Sequence, residues 1–272
     1  MNYRHSFHAG NFADLVKHAL VLWLLKTRQA AGPVVVLDTH AGAGLYDLTG
    51  DATRSREAEA GVERLMAAAD RPALIEALAA EVAALNPEGG VRFYPGSPVL
   101  VARSSRAADA YVGFELHEEV AGLLRASLSG FPNARGEIGD GYDLVLAEAR
   151  QAGGALVLID PPFERPDDYL RAADTAAAIV KADPTAIVAI WTPLKDMETF
   201  DGFLRRLASG TDAPTLVAEA RLRPLTNPMK MNGCAMVVVN PPEGADAAAA
   251  EICGWVARAL GDAGAKAEVW RA

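Results

Sequence analysis

Apolar positions along this chain follow two rhythms that take turns. The runs "PVVVLD" (33–38), "AYVGFE" (110–115), "ALVLID" (155–160) and "TAIVAIW" (185–191) are short and mostly apolar, and the first is rich in β-branched residues. Such runs predict strands buried on both faces rather than strands with one wet side. "ARGEIGD" (134–140) predicts another strand, and "LVAEARLR" with "CAMVVVN" two late ones. Between them the spacing is helical. Asn11 to Arg28 predicts a helix with Asn11 as its N-cap and Leu15, Ala19, Leu22 and Trp23 on one face. Further helices are expected after the strands ending at Glu115 and Asp140, after Pro166 and from Asp196. Repeated strand-helix units predict an α/β fold, here a seven-stranded, mostly parallel sheet with helices on both faces.

One stretch breaks the alternation. Residues 51–86 turn Ala/Glu/Leu-rich, Leu74, Leu78, Val82 and Leu85 repeat at helical spacing, and Pro72 sits where a first helical turn tolerates it. "NPEGG" (86–90) then closes the segment. The expected organisation is one α/β domain made of residues 1–50 and 87–272, with 51–86 as an inserted helical subdomain.

In a parallel sheet of this kind ligands bind beyond the carboxyl ends of the strands, so the residues that follow each strand are the first candidates. Asp38 ends the first strand, and Gly42 and Gly44 occupy the next turn, where missing side chains let backbone approach a nucleotide-like ligand. A dinucleotide fingerprint requires a small residue three positions after Gly44, where this chain has Asp47, and an acid at a strand end about 20 residues on, where it has the helical insertion. Nicotinamide cofactors therefore fit poorly. Glu115 ends the next strand and Asp140 the one after, followed by Gly141. Three acids at successive strand ends suit a ligand with a cationic centre, a ribose and an amino-bearing adenine, which S-adenosylmethionine combines; taken one at a time, each acid is an ordinary N-cap or turn residue.

The strand at 155–160 runs into Asp160, Pro161, Pro162 and Phe163. A carboxylate and a backbone carbonyl accepting the two hydrogens of an exocyclic amine would favour the pyramidal nitrogen that attacks a methyl group. The prolines stiffen the loop and donate no competing N–H, and Phe163 offers a stacking face for a base turned out of its helix. A plain strand-ending turn with a buried Phe explains the same residues. "NPPE" at 240–243 also follows an apolar strand but carries Glu where the ring should be, and reads as a strand exit.

Composition narrows the classes. The formal charge of −9 opposes general polyanion binding, so a nucleic-acid contact must be local. The first 18 residues hold the candidate, with Arg4, His5, His8, Lys17 and His18 against Asp14 alone; an amphipathic helix with a basic polar face is the plainer reading. Cys234 and Cys253 have no metal-ligand spacing and form no disulfide framework. The apolar run 19–25 is too short to cross a bilayer. A cytoplasmic protein is expected.

With these residues in view, the chain resembles the ribosomal RNA large subunit methyltransferase J family over essentially its whole length. The likeness rests on "YRHSFHAGNFADLVKH" (3–18), "LDTHAGAG" (37–44), "YPGSP" (94–98), "ELH" (115–117), "DG" (140–141) and "LIDPPFE" (158–164). It implies a Rossmann-like class I methyltransferase core with a small helical insertion, using S-adenosylmethionine to N6-methylate an adenine of 23S ribosomal RNA. By the same resemblance Lys17, His18, His40, Ser97, Glu115, Asp140 and Gly141 belong to the cofactor site. Asp160 is the catalytic acceptor beside it, and Tyr3 meets the RNA. Phe12 replaces a frequent family histidine, and Phe163 stands where Tyr is also common.

The expected partner is 23S rRNA, naked or in an early assembly intermediate, met by a monomer without metal or membrane contact. Three other readings stay open at this stage: a DNA adenine methyltransferase, a protein glutamine amide methyltransferase, and a non-catalytic rRNA-binding assembly factor.

Overall fold

A computed structural model describes residues 8–49, 56–226 and 231–272. Tyr3, Arg4 and His5, expected at the RNA, lie outside the described residues.

The sheet grows outward from its first strand. β1 (Val35–Asp38) pairs in parallel with β4 (Ala110–Glu115) on one side and β6 (Leu156–Ile159) on the other. β5 (Ala134–Ile138) extends the β4 side, and β7 (Ile187–Leu194) the β6 side, both in parallel. The chain then reverses. β9 (Gly233–Val239) is antiparallel to β7 and to β8 (Thr215–Arg221). A final strand, β10 (Lys266–Arg271), caps the edge, so the order is β10-β8-β9-β7-β6-β1-β4-β5. This is eight strands where seven were expected. β10 was missed because "KAEVWR" is an edge strand whose residues stay largely exposed, which leaves no apolar run to read.

One face of the sheet carries α1 (Phe12–Ala31), α4 (Ser97–Ser104), α5 (Glu118–Leu128) and α9 (Ala245–Leu260), and the other carries α6 (Gly141–Ala152), α7 (Asp168–Ala182) and α8 (Met197–Gly210). The alternation of β7 shows how one strand serves both: Val188, Ile190 and Leu194 enter the second core, Ile187 and Ala189 the first.

Between β2 (Leu45–Asp47) and β3 (Phe93–Pro95), which pair antiparallel, the chain forms a π-helical turn at Glu59–Glu63 continuing into α2 (Arg64–Ala67), then α3 (Ala73–Leu85). Val62, Leu65, Ile75, Leu78 and Val82 are fully buried in the same core as α1. This burial changes the reading of α1. Asn11 caps it as expected, accepting from the amides of Ala13 and Asp14, but the helix is not a surface helix with a basic face. Lys17 is 4% and His18 0% exposed, because helices α3, α4 and α9 enclose α1 on the sides the sheet leaves open.

Candidate active site

The site is built at the carboxyl ends of β1, β4, β5 and β6, and its base is a buried set of charges. Asp14 lies in the first turn of α1, where helix N-termini favour acids, and its Oδ2 accepts the amide of Gly10 at 2.9 Å. One turn later the ammonium of Lys17 lies 2.8 Å from Asp14 Oδ1 and 2.5 Å from Asp160 Oδ2. Burial opposes a charge on Lys17, but the fields and hydrogen bonds of the two carboxylates outweigh it and hold the ammonium well above the usual lysine range. Lys17 thus takes one oxygen of Asp160. Oδ1 has no hydrogen-bond partner among the described residues.

Below this pair is Asp38, fully buried at the end of β1. Its Oδ2 accepts the Ser97 hydroxyl at 2.6 Å and the Tyr111 hydroxyl at 3.1 Å. Burial pushes its carboxyl up to about 6 despite the Ser97 hydrogen bond, and the nearby charge of Asp160 adds to the rise. Asp38 and Ser97 therefore brace the floor from beneath, and their carboxylate and hydroxyl are spent on each other. His18 is likewise enclosed, with Nδ1 2.8 Å from the Tyr94 hydroxyl and its ring stacked on Tyr94. In this conformation Lys17 is 4% exposed and His18 and Asp38 0%; the wrapping of α1 by its neighbouring helices encloses Lys17 and His18.

The more open groups are arrayed around that floor. Glu115 is half-buried, its Oε2 accepting the Gly42 amide at 3.1 Å and its Oε1 the His117 amide at 3.2 Å. Gly42 has φ +64°, and a Cβ there would meet the Tyr46 hydroxyl oxygen, so the turn requires glycine. Asp140 N-caps α6 through Oδ1 to the Tyr142 amide, and its Oδ2 accepts from Arg171 at 2.9 Å. Gly141 packs against the β1 loop so closely that a Cβ would lie 2.0 Å from the Thr39 carbonyl oxygen. His40 pairs Nδ1 with the Thr39 hydroxyl at 2.8 Å and lies edge-on to Tyr142. Burial lowers its imidazole to about 4, so it is neutral at ordinary pH.

Phe163 departs from expectation. It is 7% exposed, its ring packed 4.5 Å from Tyr169 and 5.8 Å from Trp191 between centroids, and its backbone has φ +50°. The stacking face anticipated from sequence is closed by these neighbours, and a bulky residue at positive φ carries strain that the surrounding packing has to sustain. Pro161, two positions earlier, is buried. His8, expected at the RNA, pairs instead with Glu57 at 2.9 Å, and the same carboxylate accepts Asn11 Nδ2 at 3.0 Å.

Sequence reasoning missed Asp14 as the second partner of Lys17, although their i, i+3 spacing in a helix carries that signal. It also missed Tyr111, Tyr142 and Arg171, for which no local signal exists.

Does this set suit S-adenosylmethionine? Asp14, Asp38 and Asp160 place three carboxyls around one ammonium, an excess of negative charge that a cationic ligand would balance. Glu115 and Asp140, half-buried at neighbouring strand ends with their amide donors already satisfied, have lone pairs left for a diol and an amine. The residues fit.

Six strands running one way, with β9 reversed between β7 and β8 and β10 reversed at the edge, and acids after β5, β4 and β1, define a Rossmann-like methyltransferase. Comparisons with known proteins specify it further. The family described as ribosomal RNA large subunit methyltransferase D, RlmJ, matches residues 31–272. A ribosomal RNA large subunit methyltransferase J of Escherichia coli (strain K12) is 34% identical over 245 residues, covering 89% of this chain and 88% of that protein. The protein of the same name from Haemophilus influenzae is 32% identical over 247 residues, with the same coverage of each chain. The chain belongs to the RlmJ family of ribosomal RNA large subunit methyltransferases. In fold it is similar to a solved structure, protein LPL1258 from Legionella pneumophila, with TM-score 0.87 and 22% identity over 97% of this chain and 98% of that one.

Proposed function

We propose that this protein transfers the methyl group of S-adenosylmethionine to N6 of an adenine in 23S ribosomal RNA. The observation that carries the reading is the Asp160 carboxylate at the rigid exit of β6, fixed at one oxygen by Lys17 and with Oδ1 uncommitted. Membership in a family of ribosomal RNA methyltransferases, and relatives named for the large subunit, support the choice of RNA class.

Lys17, bound to Asp14 and Asp160 at once, holds the Asp160 carboxylate in one orientation. Asp160 Oδ1 and the Pro161 carbonyl accept the two N–H groups of the substrate amine and bring its lone pair out of the ring plane. As the nitrogen forms its bond, Asp160 stabilises the charge that develops there and can accept the departing proton. Phe163 gives the base its stacking ring once the contacts with Tyr169 and Trp191 open. Glu115 accepts the ribose hydroxyls and Asp140 the adenine amine of the cofactor, with Gly42 and Gly141 keeping backbone close and His40 as a neutral ring beside them. When bound there, S-adenosylmethionine supplies an electrophilic methyl. Tyr3, Arg4 and His5 precede α1 in sequence and would add the local basic contact that a chain of charge −9 otherwise lacks.

The test is mass-spectrometric mapping of N6-methyladenine in 23S rRNA from cells with the protein, without it, and with D160A in its place. One adenine should lose its methyl group in the second and third strains and keep it in the first. Transfer of labelled methyl to DNA in preference to RNA, or an unchanged 23S methylation map, would overturn the reading.

A further inference from the structure

We propose that Arg171 is a positioning residue for cofactor recognition: it fixes the carboxylate of Asp140 and, through Tyr142, the ring of His40. The proposal rests on the reading above that Asp140 meets the adenine amine of S-adenosylmethionine.

Arg171 lies in the first turn of α7, the helix that follows the loop carrying Asp160, where its amide bonds to the Asp167 carbonyl. Its side chain crosses to α6. Nη1 reaches Asp140 Oδ2 at 2.9 Å, Nη2 reaches Asp143 Oδ1 at 3.1 Å, and the guanidinium carbon lies 4.4 Å above the Tyr142 ring. The two carboxylates are not equivalent: the Asp143 side chain is 73% exposed and that of Asp140 26%. Solvent screens the first contact, so the second dominates.

Asp140 carries two fixed donors, the Tyr142 amide on Oδ1 and the guanidinium on Oδ2. Together they set the plane of the carboxylate, and the lone pair still open on each oxygen points in a defined direction. Burial works against ionisation of Asp140, but the Arg171 hydrogen bond and charge outweigh it and leave the carboxyl below its ordinary range. The acceptor therefore stays anionic.

Tyr142 is held on one face by Arg171 and presents its ring to the edge of His40, with centroids 4.7 Å apart. One guanidinium thus orders two groups around the cofactor and ties them to α7, the helix after the Asp160 loop. Lysine would keep the charge but not the planar fork that bonds a carboxylate while covering an aromatic face.

The experiment is calorimetry of wild type, R171M, R171Q and R171K with S-adenosylhomocysteine and with S-inosylhomocysteine, whose 6-oxo group cannot donate to Asp140. Wild type should prefer the adenosyl ligand at least about tenfold. R171M should lose about tenfold on the adenosyl ligand and little on the inosyl one, with R171K and R171Q between, because a misaligned acceptor penalises only the ligand that donates to it. At saturating methyl donor the turnover number should stay within a factor of about three.

Equal losses on both ligands, or none on either, in whichever of the variants fold would overturn the proposal. Wild type that binds neither ligand refutes the cofactor reading itself. Wild type that binds both equally refutes Asp140 as the reader of the amine. Both of those outcomes show in the wild-type arm alone, and both remove this proposal with its premise.

Discussion

Lys17 Nζ lies 2.5 Å from Asp160 Oδ2 across 143 positions of chain, with both side chains largely removed from solvent. A charged pair in such surroundings costs desolvation on both sides, and breaking it by removing one partner leaves the other charge buried alone. K17M should therefore lose on the order of 3–5 kcal/mol of stability, measured by urea unfolding, and its turnover should fall together with it. K17R keeps the charge and should recover more stability than activity, since the larger fork displaces the Asp160 carboxylate.

Removing the acceptor separates chemistry from binding. D160A should lower the turnover number at least about a hundredfold, while S-adenosylhomocysteine, measured by calorimetry, binds within a few-fold of wild type. Retained turnover would remove Asp160 from the mechanism.

His40 and Asp38 give opposite pH signatures. The His40 imidazole is lowered to about 4 by burial, below its ordinary 6.5, so the unfolded chain binds the proton more readily. Its contribution to stability is full above about 6.5 and is lost as pH falls towards 4. The melting temperature of wild type relative to H40Q should fall across that window, and the His40 ring should stay neutral at pH 6 by nitrogen NMR.

Asp38 reverses the sign. Its carboxyl is raised to about 6 in the fold, so the native state holds the proton more tightly, and the contribution is full below about 3.9 and lost as pH rises through 6. D38N should gain stability relative to wild type between pH 4 and 6, read from paired thermal melts.

G141A tests the contact between α6 and the β1 loop. Its added methyl would fall 2.0 Å from the Thr39 carbonyl oxygen, and since the obstacle is backbone the helix start has to move. Overpacking of this kind costs about 1–3 kcal/mol; a lowered melting temperature together with weakened S-adenosylhomocysteine binding is the expected outcome. Unchanged melting would show that the loop yields without cost.

Much of this protein was written in local pattern. Local pattern marked seven strands of the main sheet, four of them as short apolar runs, Asn11 marked the start of α1, and the acids Asp38, Glu115, Asp140 and Asp160 fell at strand ends because a strand's exit is a local event of hydrophobic run and turn residue. Those features are set within a few positions of chain, and so sequence determined them. Tertiary structure alone decided which charges meet and which faces close. Lys17 and His18 read as a solvated basic face until α3, α4 and α9 wrapped α1; Phe163 read as an open ring until Tyr169 and Trp191 packed on it; and Arg171 gave no sign that it reaches Asp140. Periodicity records that a residue is buried or exposed on its own element. It carries no record of the partner that another element, brought alongside by packing, supplies.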